Sequence, residues 1–411
     1  MKKLIHKTHI PIIVLSFTLL FSSICYNSNE FYLNRYINTS TTTVSKIDFK
    51  NPGKTEIIKI LENIYKDRCS MFITRDLTNL PNYYDPSQKL GRWSLQHEIK
   101  RFDYFNDWSS QRGMNFIKVE STPNVRKITT TKRGIRLLVD EYYKFEYTYK
   151  NDVAPVTNFF GVGLTHTMEL IKKGENWIIY YDWYLDCFED ALKYYSGELK
   201  DLKLDTSKKP IYNLGNCPKS PSELKIVTNG HYNKINAVKY ADKYCGVPWA
   251  SGNSIKYNKK YTNYTGNGGN CTNYVSQSIG DSEGGGLRFD SIWNCTYRKY
   301  DGAEGSSAWV NADAFKKYLI YSGRGKLLGK GTFTQLISPL PGYTCGALQK
   351  LDIGDVICYA KGNDIDHFAL VTGFDSHGYP LVNSNTIDRY HVPWDLGWGD
   401  KNINFYLMHV R

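Results

Sequence analysis

The chain has 411 residues and a formal charge of +12, with 41% hydrophobic residues, 22% charged residues and 33 tyrosines. That length exceeds one hydrophobic core of typical size, and the composition excludes a disordered chain. The positive charge falls to +9 without Lys2, Lys3 and Lys7 and is spread along the chain, which argues against a nucleic-acid-binding protein and suits contact with an anionic cell surface.

Residues 1 to 26 place those lysines before an apolar run from Ile10 to Cys25 that includes Ile12, Val14, Leu19 and Phe21. This is the pattern of an export signal, either cleaved or kept as a membrane anchor. Ser22-Ser23-Ile24-Cys25 outlines a lipoprotein site, with a branched residue at Ile24. Residues 27–55 follow as a polar tether whose Ser/Thr-rich stretch has no apolar face to bury.

A first α+β domain is expected over residues 56–200. Ile57, Ile60, Leu61 and Ile64 recur at helical spacing, and a second helix is expected over Leu95 to Phe105. The pattern then turns to β-branched and alternating residues at Phe116 to Val119, Ile135 to Tyr149, Thr157 to Lys172 and Trp177 to Trp183. Lys173-Gly174-Glu175 joins the last two runs as a hairpin. Two helices followed by this meander resemble the cone-shaped fold of the nuclear transport factor and ketosteroid isomerase superfamily. That superfamily holds both enzymes and non-catalytic modules, so the likeness assigns no chemistry here. His166 reads as a packed or rim residue.

Residues 201–230 hold Pro210, Pro218 and Pro221 among lysines and read as a linker. A second domain over residues 231–411 opens with an amphipathic helix carrying Ile235, Val238 and Ala241. Its central segment is Gly268-Gly269-Asn270-Cys271-Thr272-Asn273-Tyr274-Val275-Ser276-Gln277. Two glycines allow a sharp turn, and helical spacing resumes after them, so Cys271 falls at a helix N-terminus. Unpaired amides and the positive end of the dipole there stabilise a thiolate and offer an N–H to an oxyanion.

Val356 to Tyr359 reads as a buried strand, Ala360 to Asp366 as a loop, and His367 as the opening residue of the apolar strand His367-Phe368-Ala369-Leu370-Val371-Thr372-Gly373. A histidine there is placed to act as a base toward Cys271. Asp375 to Gly378 reads as a hairpin turn leading to Leu381-Val382-Asn383-Ser384-Asn385. A three-residue loop sets His367 opposite Asn385 or Ile387, with Asn383 and Asn385 on its face, and a slip of one residue turns them away. Asn385, then Asn383, then Asp388 are the candidates for orienting the imidazole, as in a Cys-His-Asn triad.

Nine cysteines are present. Besides Cys25 and Cys271, they are Cys69, Cys187, Cys217, Cys245, Cys295, Cys345 and Cys358, an odd set that cannot pair completely. Disulfides are permitted in an exported protein but not required. No CxxC repeat or Cys/His cluster at metal spacing points to zinc.

From about Tyr232 to His409 the chain resembles the putative amidase domain family, related to the CHAP and NlpC-type papain-like wall hydrolases. The likeness rests on Ala237-Val238-Lys239-Tyr240-Ala241, the segment around Cys271, Ser307-Ala308-Trp309-Val310-Asn311, Gly354-Asp355-Val356-Ile357, His367 with Val371-Thr372-Gly373, and Pro380-Leu381-Val382 followed by Thr386 and Asp388. It implies a papain-like α+β domain with Cys271 as nucleophile and His367 as base on an antiparallel sheet. Members of the family carry a second histidine where this chain has Asn385. The relatives cut amide bonds in bacterial peptidoglycan. These readings together describe an exported cysteine amidase or peptidase acting on peptidoglycan or a peptide, with no metal or organic cofactor. A wall-binding module and an acyl transferase using the same pair are the rival readings.

Overall fold

Helix α1, Lys54–Thr74, buries Ile57, Leu61, Ile64, Tyr65, Arg68 and Phe72 along one stripe, and it ends where Arg75 turns left-handed at φ 59°. The structure, a computed structural model, describes residues 52–186, 188–199, 202–214, 231–298, 302–398 and 402–411. The expected export signal, nearly all of the tether, part of the linker, and Cys25, Cys187 and Cys217 lie outside them. No described helix is long and apolar enough to cross a membrane.

Helix α2, Lys89–Gln111, extends six residues either side of the segment expected from the sequence and buries Leu95, Ile99, Phe102 and Phe105. Four antiparallel strands follow: β1 Met114–Thr130, β2 Gly134–Tyr149, β3 Asn158–Lys173 and β4 Asn176–Tyr184. Gly174, at φ 61°, allows the two-residue turn between the last two. Beneath the helices lies a cluster of ionised groups with almost no exposed surface. Arg68 Nη2 is 3.1 Å from Glu98 Oε2, Arg101 Nε is 2.9 Å from Asp186 Oδ2, and His166 lies between Asp182 Oδ1 at 2.9 Å and Glu141 Oε2 at 3.0 Å. Burial alone would push the His166 imidazolium toward neutrality; Asp182 and Glu141 overcome this and raise its pKa to about 9. Burial would likewise lift Glu141, yet Arg68 and His166 bring it down to about 2.

The second half contributes helices α3 Lys234–Lys243, α4 Cys271–Gly280 and α5 Ala312–Tyr321. Its strands are β5 Cys295–Arg298, β6 Gly302–Gly305, β7 Gly325–Gly331, β8 Val356–Lys361, β9 Asp364–Phe374, β10 Pro380–Ser384, β11 Asp388–Pro393 and β12 Ile403–Val410. Asn233 and Asn311 cap α3 and α5 through side-chain oxygens that accept from Asn236 N–H and Ala314 N–H. The fold is thus mixed α+β around a large antiparallel sheet.

That sheet runs through both halves in the order β1-β2-β3-β11-β10-β9-β8-β12-β7, with β4 also on β3. One edge of β3 is shared: Gly161, Val162 and Gly163 pair with Tyr390, Arg389 and Asp388 of β11, while His166 to Lys173 pair with β4. One face of the second-half sheet packs Cys358, Phe368, Leu370 and Met408 against Tyr274, Ile279, Phe315 and Leu319 of the helices. The other face, with Tyr359, Ala369, Val371 and Trp394, belongs to a core continuous with the first half.

Two local differences from the sequence reading matter for the site. The segment expected as a loop before His367 is a tight hairpin: Gly362, at φ 64°, reverses the chain between Lys361 and Asp364. His367 is therefore the fourth residue of β9 rather than its first. Between β9 and β10 the pairing shifts from Leu381↔Gly373 to Val382↔Val371, leaving Thr372 as a bulge. The shift sets Asn383 opposite Leu370, on the helix-packed face.

Candidate active site

The turn before Cys271 is built by its own glycines and then fastened from several sides. Gly268 and Gly269 take φ values of 90° and 115°. Gly269 N–H donates to Tyr264 O at 3.1 Å, and Asn270 N–H donates to Thr386 Oγ1 at 2.7 Å. Asn270 Oδ1 accepts from Tyr264 N–H at 3.1 Å and from Asn273 Nδ2 at 2.8 Å. Asn273 Oδ1 in turn accepts from Trp309 Nε1 at 2.8 Å, and Trp309 is fully buried, so it braces the turn from the core.

Cys271 is the first residue of α4, where its N–H has no intrahelical acceptor. The residue is 8% exposed. Burial raises the thiol pKa against a hydrogen bond from the Phe368 backbone and bonds from the Thr272 hydroxyl and backbone, which lower it. The sulfur therefore lies against the peptide that joins His367 to Phe368, and at rest it is a thiol.

The His367 ring projects among Tyr359, 5.6 Å away between ring centres, and Trp398, at 5.2 Å. The residue retains some exposed surface, but its Nε2 is sealed from solvent and has no hydrogen-bond partner. Burial, then the positive charges of Arg389 and Lys361, hold its pKa well below the ordinary histidine value. The imidazole is neutral and keeps a free lone pair or N–H. Among the described residues no hydrogen bond joins Cys271 to His367.

The three candidate orienters lie elsewhere. Asn385 Nδ2 donates to Tyr244 O at 3.4 Å. Asn383 accepts from Thr372 Oγ1 at 3.0 Å and donates to Asp242 at 2.8 Å. Asp388 accepts from Tyr257 OH at 2.7 Å, and burial raises its pKa to about 6. The bulge at Thr372 explains why neither asparagine meets the imidazole, since one residue of slip reverses a strand's faces. Beside the turn, Tyr244, Tyr257, Tyr261, Asn258, Asn270 and Asn385 line a shallow cleft.

Thr386, Phe368 N–H and His391 are parts of this neighbourhood to which the sequence reading gave no role. His391 is left-handed at φ 49° and points Nε2 at Asp242 Oδ1, 3.0 Å away. Thr386 between two strands was the available signal; its backbone conformation and its acceptor role depend on the folded pairing. Among the described residues no group of three or more His, Cys, Asp or Glu is placed to hold a metal ion. Cys69, Cys245, Cys271, Cys295 and Cys358 are free, and Cys345 is disulfide-bonded.

Cys271 thus begins a helix beside the antiparallel sheet of a mixed α+β fold. Residues 231–408 match the family described as putative amidase domain, so the second half of the chain carries that domain. No curated protein and no solved structure matches the chain.

Proposed function

We propose that the protein is an exported cysteine amidase or peptidase that cleaves an amide bond of peptidoglycan. The supporting observation is Cys271 at the start of α4 with its sulfur against the His367–Phe368 peptide, inside a putative amidase domain. In this reading the Cys271 sulfur attacks the carbonyl carbon and the helix-start N–H receives the developing oxyanion, while His367, whose ring rests beside Tyr359 on the sheet face away from α4, takes the thiol proton only after moving toward the sulfur. The protonated imidazole then delivers its proton to the leaving amine, giving a thioester that water hydrolyses. Burial of both groups favours thiol with neutral imidazole over a resting ion pair, so the proton moves only when substrate arrives. Since Asn385 is bonded to Tyr244 O, its part as orienter requires a change of side-chain position on substrate binding. We read the first half, two helices followed by a four-stranded antiparallel meander, as a cone-like fold of the nuclear transport factor type. Incubating the full chain with purified muropeptides and identifying new termini by mass spectrometry tests the reading; unchanged muropeptides would refute peptidoglycan as substrate.

A further inference from the structure

Thr386 combines two features that a turn residue does not ordinarily need. It is β-branched yet sits at φ 90°, a conformation that such residues rarely adopt. Its hydroxyl accepts the Asn270 N–H at 2.7 Å, across 116 positions of sequence, and a Cβ on Gly269 would lie 3.2 Å from the same oxygen. Observed strain of this kind points toward function when the surroundings enforce it. Here they do, from both flanks. On one side Thr386 N–H donates to Asn385 Oδ1 at 3.2 Å. On the other, Asp388 pairs with Gly163 of β3, receives Tyr257 OH at 2.7 Å and has Lys256 Nζ at 3.9 Å.

Resting on the amidase reading, we propose that Thr386 is a positioning residue for Cys271, and that β3 of the first half anchors it through β11. The Asn270 N–H belongs to the Gly269–Asn270 peptide, which directly precedes the peptide that carries the Cys271 N–H, the first of the helix. A hydroxyl that holds the first of these peptides restrains the backbone from which the Cys271 N–H and side chain project. The anchoring strand is thus part of the catalytic apparatus without touching substrate, and small misplacements of a reacting group carry large rate penalties.

The test compares Thr386→Val, which keeps the shape and removes the acceptor, with Thr386→Ser, which keeps the acceptor. In the full chain, Thr386→Val should speed hydrogen exchange of the Asn270 amide by about tenfold and lower kcat by about tenfold, with KM within about twofold. Thr386→Ser should leave both within about threefold of the unaltered protein. Gly163→Val, which presses on Asp388, should also speed exchange at Asn270. Equal behaviour of the Val and Ser variants overturns the positioning role, and unchanged exchange in a folded Gly163→Val overturns the anchor. If the unaltered protein cleaves no amide, the amidase reading fails on its own, while exchange at Asn270 and the rate of Cys271 alkylation still decide the role of Thr386.

Discussion

His166 is fully buried and His367 has its Nε2 sealed from solvent, and they reach opposite states. His166 has a carboxylate on each ring nitrogen and is held charged at physiological pH. His367 has aromatic rings beside it, cations as its nearest charges and an Nε2 without a partner, and it is held neutral. Burial pushes both the same way, so the partners decide. A fully paired imidazolium holds its protons firmly at neutral pH and serves as structure. A neutral, unpaired one is free to act as a base.

The largest expected effect falls on the reactive side of this contrast. Cys271→Ala should lower amide hydrolysis by at least about a thousandfold, His367→Ala by a similar factor, and the double variant scarcely further. Full turnover in His367→Ala would place both histidines in the structural class. On the structural side, Glu141→Gln leaves Arg68 and His166 short of an opposing charge, which should cost about 3–5 kcal/mol in urea unfolding. His367→Ala should cost less, because no hydrogen bond to Nε2 is lost.

The two histidines also predict opposite pH slopes. With its folded pKa near 9, above the unfolded value of about 6.5, His166 stabilises fully below that value and loses this contribution as pH rises through 9. His367 is depressed, so its contribution is present above about 6.5 and is lost as pH falls below it. Urea midpoints should therefore peak near neutrality, and His367→Ala should flatten only the acid limb. A midpoint constant from pH 6.5 to 9 would contradict a charged His166.

Smaller effects follow. Iodoacetamide should label Cys271 before Cys358, whose burial is complete and whose pKa is raised well above the ordinary thiol value. Asn385→Ala should lower turnover more than Asn383→Ala if the Asn385 amide reorients to the imidazole; the reverse ranking would assign the effect to the Asn383–Asp242 bond.

Local patterns carried much of this into the sequence. Ile57, Leu61 and Ile64 announced α1, and Gly268-Gly269 followed by renewed helical spacing placed Cys271 at a helix start. What stayed hidden depends on pairing between distant segments. A two-residue reversal at Gly362 moved His367 into its strand, and the bulge at Thr372 turned Asn383 to the other face. Neither the bulge nor the left-handed Thr386 has a residue signature, because both are imposed by neighbours across the sheet.

The edge of β3 that receives β11 has one more implication, for how the chain folds as it is made. Gly161 to Gly163 of β3 pair with Asp388 to Tyr390 of β11, so the first meander waits for the last strands to be synthesised before its sheet is complete. Closing so large a loop is a late, entropically costly event. Until then Gly161 to Gly163 leave backbone donors and acceptors open along an edge, a surface on which other chains can add strands. A ribosome stalled before β11, or a protease cutting between the halves, would release a fragment with that edge bare and a tendency to aggregate.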